Sequence, residues 1–136
     1  MNSLSAFLHP AEVREEQEVI VSRRFVGEDG KPVPFRIRAL TQAENDALTA
    51  KSRRRIKENG QVHEVLDSSA FSRRMVVAAT VEPDFSNQQL CEAYGVLDPL
   101  DVPGKMLLPG EYAKLLRAIS GLCGFDEAVE DEAVKN

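Results

Sequence analysis

Five cations fall within the seven residues 51–57, KSRRRIK: Lys51, Arg53, Arg54, Arg55 and Lys57. Charge at that density can neutralise phosphates or meet an acidic protein surface. It also suits the last turn of a solvated helix, where cations face the negative end of the macrodipole, and that plainer reading comes first. No aromatic residue is interleaved to stack a base. Elsewhere the residues that usually carry chemistry are scattered. His9 and His63 are isolated from each other and from any recognisable acid–base partner. Cys91 and Cys123 form no paired motif, so they read as reduced, packed thiols, not as a disulfide or zinc ligands. Apart from Glu28-Asp29 beside a turn glycine, paired carboxylates occur in the acidic arm and tail, as solvated runs. VPGKML, 102–107, lacks the second glycine and the Ser or Thr of a phosphate-binding loop. No Gly-x-Ser-x-Gly elbow, His-Glu-x-x-His pair or nucleotide fingerprint is present. The expectation is therefore no enzyme, no metal and no cofactor, with function residing in a surface.

The bulk numbers agree with a surface-acting globular protein. With 136 residues, 43% of them apolar and 29% charged, the chain can bury one core without metal or disulfide staples. No apolar run approaches the roughly 20 residues of a membrane span. The start, MNSLSAFLHPAEVREEQ, has no basic beginning and turns acidic, unlike a secretory signal. A cytosolic address is the default. The net charge of −5 does not favour nucleic acid as the main partner. It is unevenly spread, with the cations at 51–57 set against Asp126, Glu127, Glu130, Asp131 and Glu132.

The elements that would position these charges follow from local signals. Residues 1–16 read as an arm, with Leu4, Phe7 and Leu8 making one apolar patch before Pro10. EVIVSRRF (18–25) and PFRIRAL (34–40) read as two strands of a hairpin turning at Asp29-Gly30. Phe35, Ile37 and Ala39 share one face, while Arg36 and Arg38 share the other. Thr41-Gln42-Ala43-Glu44 has capping-box spacing and predicts a helix over 41–56, carrying a thin stripe of Ala43, Ala47, Leu48 and Ala50. Asn59-Gly60 reads as its end and 58–66 as a loop.

Residues 68–81 predict the most buried helix, capped by Asp67 or Ser68 and ended by Pro83, with a strand over MVVAATV as the alternative. Ser86-Asn87-Gln88-Gln89 is a second capping box, and its short helix ends at Tyr94-Gly95. Residues 96–105 leave room for one helical turn. Pro109 then opens a helix on which Tyr112, Leu115, Leu116, Ile119 and Leu122 repeat at helical spacing, closed by Gly124. The acidic remainder, 126–136, reads as disordered or frayed.

The expected fold class is α+β and mostly α-helical: an N-terminal β-hairpin packed on a small bundle of about four helices. The domain spans 17–125, between an arm at 1–16 and the tail at 126–136. The expected core is Phe71, Met75, Ala78, Val81, Leu90, Tyr94, Leu107, Tyr112, Leu115, Leu116, Ile119 and Leu122.

Three phrases in register, VSRRFVGEDGKPVPFRIRALTQAEN (21–45), VVAATVEPDFSNQQLCEAYGV (76–96) and KMLLPGEYAKLLRAISGLCGFD (105–126), resemble the XkdN-like tail assembly chaperones of long-tailed phages and prophages of Gram-positive bacteria. The resemblance covers about 18–126; Cys123 and the segment 58–66 depart from it. It implies a non-enzymatic protein of the bacterial host cytoplasm. Such a protein keeps the apolar, helical tape-measure protein soluble until tail-tube subunits polymerise around it, and is absent from the finished virion. The implied partners are the tape-measure protein and the tail-tube protein; the sequence leaves open whether further copies of the chain join them. The surface expected to serve is Phe7 and Leu8 on the arm, Ala47 and Leu48 on the 41–56 stripe, and Arg53, Arg54 and Arg55. On this reading Leu48→Glu abolishes the complex and leaves the domain folded. Two alternatives stay open at this point: a small nucleic-acid-binding module using the three arginines, and a structural tail component.

Overall fold

The structure is a computed structural model, and it describes residues 3–11 and 16–125. The tail expected over 126–136, and residues 1–2 and 12–15 of the arm, lie outside the described residues.

A three-stranded antiparallel sheet forms the spine. β1 (Glu16–Val19) pairs with β2 (Phe35–Arg38), with Glu16 opposite Arg38 and Val19 opposite Phe35. β2 pairs on its other side with β5 (Thr80–Glu82), giving the order β1-β2-β5. The alternation of FRIR decides the faces: Phe35 and Ile37 are buried, while Arg36 and Arg38 turn outward. Arg36 then lies within reach of Glu16 on one neighbour, at 3.4 Å, and Glu82 on the other, at 3.1 Å.

The first strand is shorter than the expected 18–25. After Val19 the chain leaves the sheet, burying Val21 and Ser22, and folds back on itself through the isolated bridge Val26–Pro32. The Asp29-Gly30 turn is present there, with Gly30 at φ 78° and the Asp29 carboxylate accepting from the Lys31 N–H at 3.0 Å. Phe25 meets Phe35 with ring centroids 5.9 Å apart.

Local capping sets the helices. α2 (Gln42–Lys51) opens with the full box: Thr41 Oγ1 accepts from the Glu44 N–H, and the Glu44 carboxylate accepts from the Thr41 N–H. α3 (Ser68–Ala79) is capped by Asp67, which accepts from the Ala70 N–H at 3.1 Å. The expected helix over 68–81 stops two residues early. Thr80, Val81 and Glu82 extend into β5, because the residue before Pro83 is disfavoured in the helical region and β2 offers a free edge to pair.

α4 (Gln88–Ala93) is capped by Asn87, one residue after the expected Ser86, and ends at Gly95 with φ 69°. The turn-rich 96–105 holds more helix than one turn: a 3₁₀ segment, Pro99–Asp101, runs into α5 (Val102–Met106). α6 (Pro109–Leu122) starts with Pro109 at its first position, as the spacing predicts.

The core lies between the inner face of the sheet and α3, α5 and α6. Ile37, Val76, Phe85, Val102, Leu115 and Ile119 are almost wholly excluded from water. Met75, Leu107, Leu115 and Ile119 of the expected core are buried, and Phe71, Leu90, Tyr94, Tyr112, Leu116 and Leu122 pack half-buried around it. On α3 the most buried stripe is Met75, Val76 and Ala79, which leaves Ala78 half-buried, as is Val81 just beyond it.

Candidate interaction surface

The basic run folds in a way the sequence reading does not anticipate. α2 ends at Lys51, not near Ile56. Ser52 is buried and its hydroxyl donates to the Leu48 carbonyl at 2.7 Å, after which the chain extends as β3 (Arg53–Glu58) and returns as β4 (Gln61–Leu66). Asn59 (φ 52°) and Gly60 (φ 78°) make the connection, so the dipeptide that reads as a helix stop is a two-residue hairpin turn. Positive φ at both central residues gives a turn whose twist matches that of the paired strands. At the base, the Asp67 N–H donates to the Ser52 carbonyl at 2.8 Å, closing the hairpin between α2 and α3.

Register separates the three arginines. Arg53 faces Leu66, Arg55 faces Glu64 and Lys57 faces Val62, so these six side chains share one face. All six are exposed; Val62 keeps 62% and Leu66 45% of its accessible surface. The other face carries Arg54, Ile56, Glu58, Gln61, His63 and Val65, with Ile56 and Val65 half-buried. Arg54 leans back towards the Asp67 carboxylate, at 3.8 Å. Among the described residues Arg53, Arg55 and Lys57 have no ion-pair partner, whereas Arg24, Arg36 and Arg38 are all paired. The result is a projecting ribbon with cations and bare apolar side chains on one face.

The remaining expected residues lie on other elements. α1 (Ser3–Leu8) buries none of its residues, and Phe7 is 81% exposed with Leu8 beside it. Ala47 is exposed on α2, but Leu48 turns inward and packs against the core. Leu48→Glu would therefore place a charge against the core, and loss of a complex in that variant would not separate binding from folding. Val62 and Leu66 are additions that sequence reasoning missed, and Lys57 of the basic run joins Arg53 and Arg55 beside them. The signal for them is Asn-Gly flanked by short runs containing Ile56, Val62 and Val65.

Two ion pairs tie separate segments of the scaffold together. The Arg38 guanidinium, followed by the Thr41 N–H, holds the Glu44 carboxyl at about 2. Arg24, then Ser22 and the Leu108 N–H, hold the Glu111 carboxyl at about 2 as well. Burial pushes the Tyr112 hydroxyl up. The Cys91 thiol donates to the Phe85 carbonyl, and Cys123 Sγ accepts from the Leu40 N–H, each at 3.4 Å. Both cysteines thus have structural contacts. Among the described residues no three His, Cys, Asp or Glu side chains gather as metal ligands, and no helix is long and apolar enough to cross a membrane.

An exposed amphipathic surface of this kind suits recognition of another chain. The model of the phage XkdN-like tail assembly chaperone family matches residues 4–135. YqbN of Bacillus subtilis is 41% identical over 127 residues, covering 90% of this chain and 85% of that one. The phage-like element PBSX protein XkdN of the same organism is 35% identical over the same proportions. A crystal structure of YqbN superposes with a TM-score of 0.74 at 35% identity, over 91% of this chain and 98% of that one. The chain belongs to the phage XkdN-like tail assembly chaperone family.

Proposed function

We propose that this protein binds the phage tape-measure protein during tail assembly, keeps its apolar helical segments soluble, and stays out of the finished virion. In this reading residues 17–125 act as one folded unit in the host cytoplasm, without catalysis, and the tail-tube protein is a second contact. The observation that supports it most is the Arg53/Arg55/Lys57 face of the hairpin, where unpaired cations alternate with exposed Val62 and Leu66. A helical client with apolar and acidic positions can lay both kinds of group on such a face. Phe7 and Leu8 on the arm offer a second apolar contact, and Ala47 lies exposed on the helix that leads into the hairpin.

Co-expression with the tape-measure protein of the same phage tests this. Wild type is expected to hold the client in the soluble fraction and to co-purify with it. Val62→Glu with Leu66→Glu is expected to lose the client and keep the domain's circular dichroism and thermal midpoint, because neither side chain belongs to the core. Equal client recovery with that double variant rejects the hairpin face. Recovery of the protein in purified virions rejects the assembly-only role in favour of a structural tail component.

A further inference from the structure

The three-stranded sheet has two edges, and they are not equivalent. β5 is three residues long and runs into Pro83, which has no N–H to give to a further strand. Among the described residues no strand pairs with the outer side of β1, so main-chain N–H and C=O groups lie open there. Glu16, Gln17 and Glu18 are exposed, and Val19 is half-buried.

A trough runs beside that edge, along α6, where two hollows meet at Lys114. One is lined by Ile20, Arg23, Val26 and Pro32 of the loop after β1. The other lies between β1 and α6, with Gln17, Val19, Arg117, Ala118 and Leu122 around it. Register explains why β1 presents Gln17 and Val19 here: they stand opposite Ile37 and Phe35, on the inner face of the sheet. Glu16 and Glu18 share the other face with Arg36 and Arg38.

The trough is cationic although the chain is acidic. Asp and Glu outnumber Lys and Arg by 22 to 17, yet no carboxylate lines either hollow. Arg23, Lys114 and Arg117 are exposed and, among the described residues, have no ion-pair partner. Ile20 and Val26 are bare beside them, at 39% and 56% exposure. An open edge selects an extended backbone, and the trough selects the side chains that alternate along it. Inward side chains on such a strand recur about every 6.6 Å. Lys114 and Arg117, three positions apart on α6, hold their Cβ atoms about 5–6 Å apart. Two successive inward carboxylates therefore match the two cations.

We propose that β1 accepts an extended segment of another protein as a fourth strand, with acidic and apolar residues at its inward positions and neutral or basic ones outward, beside Glu16 and Glu18. The site shares no residue with the hairpin face, and it stands whether or not the tape-measure protein is the client.

The probe is a capped synthetic peptide of about eight residues, enough for one strand, in which threonine alternates with glutamate and valine. Added to the isotopically labelled full chain, it is expected to move the amides of 16–19 and 114–122 and to leave those of 53–66 in place. Lys114→Glu with Arg117→Glu is expected to weaken binding about tenfold, the scale of two exposed ion pairs turned to repulsion, and to keep the thermal midpoint, because both side chains are exposed. A peptide with lysine in place of glutamate is expected to prefer that variant to the wild type. Two further peptides carry N-methyl groups on alternate residues, in one phase or the other, and only the phase whose amides face β1 is expected to lose binding.

Binding that survives N-methylation in both phases overturns strand addition. So do β1 amides unmoved at about 1 mM peptide, or equal affinity of the charge-reversed variant for the acidic peptide. Movement of the same amides on concentrating the protein alone makes the trough a contact between copies. Their movement with a single-stranded oligonucleotide at about 0.15 M salt makes it a site for nucleic acid. Either result overturns the proposal.

Discussion

Arg24 and Glu111 lie 87 residues apart in sequence and meet side by side: Arg24 Nε donates to Glu111 Oε2 at 3.1 Å, and Arg24 Nη2 donates to Oε1. The same Nη2 also donates to the Met106 carbonyl at 3.0 Å. Glu111 in turn accepts the Leu108 N–H at 2.8 Å, one of the amides that the start of α6 would leave unpaired. One carboxylate thus ties the loop after β1 to the first turn of the longest helix.

The sign of the pH response follows from that tie and from its counterpart at Arg38 and Glu44. Both carboxyls are held at about 2, below the ordinary value of 4.5. Their contribution to folding is fully present above the unfolded value and is lost as pH falls from about 5 towards 2. Urea midpoints are expected to be flat across the neutral range and to decline on the acid side. Glu111→Gln should flatten part of that decline; an unchanged acid slope would show that the pair does not act in solution.

Leu115 is wholly buried at the centre of α6, against the sheet and α3. Leu115→Ala is expected to lower unfolding free energy by about 2–5 kcal/mol. Chemical denaturation followed by circular dichroism measures it. A change under about 1 kcal/mol would mean that the site is less tightly packed than described.

The Asp67 carboxylate caps α3 and its backbone closes the hairpin base. Asp67→Ala removes the cap and the long, exposed Arg54 contact at 3.8 Å, which adds little, so the expected loss is about 1 kcal/mol. Asp67→Asn should recover most of it, since an amide oxygen can accept the same Ala70 N–H. Equal thermal midpoints for Asp67→Ala and the wild type would contradict the capping role.

Gly60 at φ 78° lets the β3–β4 turn close, and a side chain there meets backbone strain of about 1–2 kcal/mol. The hairpin shares little packing with the core, so this strain should stay local. Gly60→Ala is expected to accelerate amide exchange over 53–66 about tenfold with the global urea midpoint almost unmoved. A matching fall in the global midpoint would show that the ribbon unfolds with the core.

What the sequence discloses and what it hides divide by range. The Thr41–Glu44 box, Pro109 at the start of α6 and the Gly124 stop act within one turn of chain, and each appears where its residues place it. β5 is different. It is three residues long, and its partner Ile37 lies 43 positions before Thr80, so no local pattern announces it. The hairpin is hidden for another reason. A ribbon solvated on both faces need not alternate apolar with polar residues, and RRRIKE reads equally well as a helix end. The exposed Val62 and Leu66 follow from register, which only the pairing supplies.

The hydrogen bond from the Asp67 N–H to the Ser52 carbonyl brings the two stems of the β3–β4 ribbon together. Residues 53–66 therefore form an interchangeable cassette. On the function proposed above, a graft at these two stems should transfer client preference onto an unaltered scaffold.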